Sequence, residues 1–130
     1  MAAIPLMLIP FILYNLEMLG FFGITTDTVI SSVNMMSGAV WKMTLGDLFI
    51  VLGLIILFME IFKATRRSSV ALLDHLLSMA LFVVFLVEFL LVQGAATHIF
   101  FILMMISLVD VIAGFTVSIK SAGRDVSIGL

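Results

Sequence analysis

The chain has 130 residues, is 64% hydrophobic and 11% charged, carries a formal net charge of −2 and contains no cysteine. Soluble domains average about 25% charged residues, so this composition describes an integral membrane protein. It excludes disulfides, thiolate metal sites and cysteine nucleophiles, and its few Lys and Arg residues give no electrostatic footprint for nucleic acid. One transmembrane domain over 1–130 is the natural organisation at this length.

The first span is expected over 3–24. Pro5 falls in its first turn, where a missing N–H is tolerated, and Pro10 is expected to kink its interior. The start has no positive n-region, so the run reads as a retained helix rather than a signal peptide. Tyr14, Asn15 and Glu17 make its middle polar, and Glu17 shares a face with Pro10.

The stretch 26–42 is mixed. Thr26 or Asp27 is a plausible N-cap. Val29, Ile30, Val33, Met36 and Val40 follow as one apolar face of a helix. Trp41 and Lys42 suit a headgroup boundary. This predicts an interfacial amphipathic helix between the first two spans. Met35, Met36 and Met43 read as apolar packing rather than as a copper(I) site.

The second span is expected over 44–62, where Gly46, Gly53 and Glu60 recur every seven residues along one stripe. Small residues let helices approach closely, so Gly46 and Gly53 mark a packing face. A basic hinge follows, with Lys63, Arg66 and Arg67. The third span is expected over 70–92, with Asp74, Ser78, Leu81, Phe85 and Glu88 on one side. The short loop 93–97 makes the third and fourth spans antiparallel neighbours. The fourth span, 98–119, carries the clearest small-and-polar stripe: Ser107, Asp110, Gly114 and Ser118. A short tail of mixed charge follows.

Lys63, Arg66, Arg67, Lys120 and Arg124 fall on one side of this layout and Lys42 alone on the other. Positive loops stay in the cytoplasm. The expectation is an all-α, four-transmembrane-helix bundle with both termini cytoplasmic, in a membrane such as the bacterial inner membrane.

Six of the eight acids lie inside the expected spans, and none of the basic residues does. A charge at the bilayer centre costs about 2.5–3.5 kcal/mol even on the lenient insertion scale. Asp47, Glu60 and Asp74 lie near span ends, within reach of headgroups or, for the last two, of the hinge cations. Glu17, Glu88 and Asp110 need another account. Glu17 and Glu88 fall in the outer half and could meet there near His98, sharing a proton or a cation, or simply tying helices together. Asp110 is the deepest acid, with no basic residue expected at its depth.

His75 and His98 fall at opposite ends of their helices, which argues against one haem between them. No HExxH, GxxxxGK or GxSxG motif occurs, and adjacent Asp74 and His75 point about 100° apart on a helix, unlike a catalytic triad. The sequence therefore predicts no enzyme, no cofactor and no metal. Two readings follow. The first is an accessory or structural subunit that joins a larger membrane complex, or copies of itself, through its Gly/Ser/acid faces. The second is an oligomeric proton- or cation-coupled transporter or channel that uses the intramembrane carboxylates.

Overall fold

Threonines at the ends of the apolar runs set where two helices begin. The Thr44 hydroxyl accepts the Asp47 N–H at 3.2 Å, and the Asp47 carboxylate accepts the Thr44 N–H at 3.0 Å. This reciprocal capping box starts helix α2, Leu45–Ala64. The Thr97 hydroxyl likewise accepts the Phe100 N–H at 3.2 Å and opens α4, His98–Gly129. Between them lie α3, Ser69–Leu91, and a 3-10 turn, Gln93–Ala95. The computed structural model describes the backbone of residues 5–64 and 69–129, and the side chains of residues 5–63 and 72–116.

Three of the described helices are long and apolar enough to cross a membrane, over Leu45–Lys63, Leu72–Leu91 and His98–Thr116. They correspond to the second, third and fourth expected spans. Helix α4 is longer than expected. Its 32 residues extend about 48 Å at 1.5 Å per residue, and the helix continues through most of the expected tail.

The first helix, α1, is Leu8–Met18, shorter than the span expected over 3–24; residues 3 and 4 lie outside the described residues. Its eleven residues rise about 16 Å, roughly half the hydrocarbon core. The C-terminal stop is a Schellman motif: Gly20 N–H donates to Glu17 O at 3.0 Å, and Phe21 N–H to Leu16 O at 3.0 Å. Gly20 takes φ 88° there, a left-handed conformation that glycine adopts without strain. Pro10 falls in the first turn of α1 rather than in a helix interior, so no hydrogen bond is forfeited.

The expected interfacial helix over 26–42 is instead an antiparallel hairpin. Strand β1, Val29–Asn34, pairs with β2, Val40–Thr44. The apolar residues that fit a helical period also fit a strand. Local chemistry decides between the two. Val29, Ile30, Val33 and Val40 are β-branched and favour extended backbone. Ser31, Ser32, Ser37 and Gly38 are weak helix formers. Gly38 closes the turn with φ 92°, its N–H donating to Met35 O at 2.9 Å.

Close approaches fix the packing. Gly46 faces Ile99, and Gly53 faces Leu103 and Ile106, so α2 and α4 run parallel. Phe85 meets Phe100 at 5.3 Å between ring centroids, while Ser78 faces Asp110, so α3 runs against α4. Helix α1 crosses from Glu60 at its start to Thr97 near its end, opposite to α2. The core gathers Tyr14, Phe49, Phe85, Phe100, Leu103 and Ile106. Aromatic pairs of this kind add about 0.5–1.5 kcal/mol each; between helices in lipid, such van der Waals contact is a main source of cohesion.

Candidate functional site

The buried polar residues of the long helices gather toward the end of the bundle nearest the basic hinge. Glu60 and Lys63 come from the last turns of α2, Asp74, His75 and Ser78 from the first turns of α3, and Ser107 and Asp110 from the middle of α4. Spacings of three and four residues put Glu60 with Lys63, Asp74 with Ser78, His75 with Ser78, and Ser107 with Asp110 on shared sides of their helices. All of them except Lys63 are buried, from 1% exposed for Glu60 and Ser107 to 8% for His75.

Glu60 is the hub. Its Oε2 accepts the backbone N–H of Leu6, and that of Met7 at 3.3 Å. These amide groups precede α1 and have no partner within that helix, so α2 supplies the cap that α1 lacks. Lys63 Nζ lies 3.7 Å from Glu60 Oε1 and 3.4 Å from Asp74 Oδ1, bridging α2 and α3. Asp74 Oδ1 has this ion pair but no aligned hydrogen bond. Asp110 faces Ser78 and lies within electrostatic reach of Glu60, Asp74 and Lys63. Its Oδ2 and the His75 Nε2 have no hydrogen-bond partner among the described residues. The His75 ring stands edge-on to Phe115 at 4.7 Å and fills the space that a side chain at Gly114 would need.

Two carboxyls thus flank one ammonium, with a third within its electrostatic reach, in a place that water reaches poorly. Buried charge must be paired or neutralised, because an isolated ion in low dielectric is very costly. The cluster can hold four helices together, and it can take up further positive charge. Among the described residues, no three His, Asp or Glu side chains are arranged to hold a metal ion.

The other sequence-derived candidates are distributed as follows. Glu17, half-buried near the end of α1, faces the Thr26 N–H and Asp27. Glu88, half-buried near the end of α3, faces the Asn15 side chain. Both flank Tyr14, but their polar partners differ. His98 is exposed and lines an outer groove of about 350 Å³ with Phe89, Ala96, Thr97 and Phe101. Ser107 is buried one turn before Asp110, and Gly114 lies against the His75 ring. Arg66, Arg67 and the side chain of Ser118 lie outside the described residues.

Glu60 and Asp74 pair with the hinge cation Lys63, as their positions in the sequence allowed, and both are buried rather than exposed to water. One expectation about the acids changes. Asp110 does have a basic residue nearby, Lys63, because α2 carries that lysine inward beside Asp74. The signal was the seven-residue spacing that set Glu60 on the Gly46–Gly53 face. Tyr14 and Thr97 were not singled out as a pair. Their hydroxyls lie 2.6 Å apart, and Tyr14 also donates to Gly94 O at 3.1 Å.

The fold and its buried polar cluster define a helical protein with three membrane-length helices. Comparison with protein-family models, curated proteins and solved structures finds no match, so function is argued from the chain's own residues.

Proposed function

We propose that this chain is a non-enzymatic integral membrane protein that serves as an accessory or structural subunit, joining a larger membrane complex or further copies of itself. In this reading α1, with the residues flanking it, is a fourth crossing of the bilayer, and the hinge and both termini are cytoplasmic. The single observation behind the subunit reading is the inward closure of the cluster. Its acids are engaged with α1, Lys63 and Ser78, and so build the bundle rather than line a water path. The surface left for a neighbour is then not the Gly/Ser/acid stripe but the outward apolar faces of α2 and α3, which include Phe58 and Val84.

Photo-crosslinking residues placed at Phe58, Val84 and buried Leu103 test this in native membranes. A discrete protein adduct is expected from Phe58 or Val84 and none to a second chain from Leu103; lipid adducts alone from both outward positions would contradict it. The orientation is tested separately, on a chain with no native cysteine. A membrane-impermeant thiol reagent added outside should modify Ser31→Cys and Gln93→Cys, both at exposed positions, but not Ser68→Cys or Ser127→Cys; outside labelling at position 68 would reverse the topology.

A second reading, an oligomeric proton- or cation-coupled transporter, is favoured by one observation. Asp110 Oδ2 is buried and without a hydrogen-bond partner among the described residues, beside two further carboxyls and one lysine.

A further inference from the structure

Residues directly opposite in an antiparallel pair share a face of the sheet, and alternate residues along a strand share it too. The register pairs Val33 with Trp41 and Ser31 with Met43 on one face, and Ser32 with Lys42 and Asn34 with Val40 on the other. One face therefore carries Val33, Trp41 and Met43 with Ser31, and the other Ser32, Asn34 and Lys42 with Val40 near the turn. Val33 and Trp41 are both nearly half exposed, so among the described residues none closes over that part of the face. The hairpin base is fixed to the start of a membrane-length helix. Leu45 N–H donates to Thr28 O at 2.9 Å and Gly46 N–H to Thr26 O at 3.0 Å, and β2 runs straight into α2.

We propose that the hairpin lies flat in the lipid headgroup layer, with Val33, Trp41 and Met43 turned toward the acyl chains and Ser32, Asn34 and Lys42 toward water. Lipid is the fitting occupant because the uncovered face begins where a bilayer-crossing helix ends. Its chemistry is that of an interface: tryptophan on the lipid side, with a lysine across the sheet that reaches phosphates and water. The backbone sets the depth. A two-stranded sheet leaves N–H and C=O groups unpaired along both outer edges, and hydrocarbon cannot satisfy them. The hairpin therefore stays among headgroups and bound water. This inference rests on α2 crossing the membrane and is independent of any partner protein.

Trp41 is the only tryptophan, so its fluorescence reports the hairpin without background. In purified vesicles of phosphatidylcholine and phosphatidylglycerol, the emission should be blue-shifted from that of free tryptophan. It should be quenched more by a spin label at headgroup depth than by one at the acyl-chain ends. Strongest quenching by the deep label overturns the proposal, and so does quenching by aqueous acrylamide equal to that of free tryptophan, the result expected of a hairpin reserved for a protein partner. A pair of variants tests the face: Val33→Asp should red-shift the emission and raise acrylamide quenching, and Ser32→Asp should leave both near the parent. Equal shifts from the two variants overturn the assignment.

Discussion

At the hairpin end of the bundle, Tyr14 reaches across to Gly94 and Thr97, and the Phe85, Phe89 and Phe100 rings close the core around it. At the hinge end, Glu60 holds the start of α1 while Lys63 joins it to Asp74 and the region of Asp110. One end is tied by neutral hydrogen bonds and ring contacts, the other by charge. Neutral contacts in lipid are short-ranged and their losses modest. Charged groups in lipid are mutually dependent, because removing one leaves the others without compensation. The hinge end should therefore respond far more strongly to single substitutions.

The largest effect is expected from Lys63→Met, which leaves Glu60, Asp74 and Asp110 without their nearby cation. Loss of one partner of a buried ion pair costs about 3–5 kcal/mol, and the partial exposure of Lys63 places this case at the lower limit. Unfolding from mixed micelles by added denaturing detergent reads it; a change as small as that of Tyr14→Phe would remove the contrast between the ends.

Next is Gly114→Leu, which forces the His75 ring away from α4. Overpacking of this kind costs about 1–3 kcal/mol. Ile112→Leu, two residues away on the exposed side, is expected to be tolerated. Equal destabilisation by both would mean that the α4 stripe is not a close contact.

The smallest effect belongs to Tyr14→Phe. It removes one hydroxyl with two partners, for a loss of about 0.5–1.5 kcal/mol. A cycle with Thr97→Val should show coupling, since both changes break the same pair; strict additivity in the same unfolding assay would argue against that hydrogen bond.

The contrast also shows what sequence patterns carry. Long uninterrupted apolar runs define α2, α3 and α4 because a membrane helix satisfies all its own backbone groups. The period of seven through Gly46, Gly53 and Glu60 marks the side of α2 that meets α4. The hairpin was not legible because Val29, Val33 and Val40 fit two periodicities, and in so short a window β-branching and Gly38 decide. The end of α1 depends on one glycine, which an apolar count passes over. The cluster was only half legible. Each helix shows its own acid stripe, but the depth at which Lys63 meets Asp74 and Asp110 depends on how the helices slide past one another.

In the proposed function Asp110 builds the bundle and carries nothing across it. Purified parent protein and Asp110→Asn, reconstituted in vesicles holding a pH gradient and an internal pH-sensitive dye, test this directly. The substitution keeps the size and hydrogen-bonding capacity of the side chain. Both proteins should preserve the gradient as empty vesicles do. Rapid loss of the gradient with the parent, abolished in a normally folded Asp110→Asn protein, would contradict the account and establish the transporter.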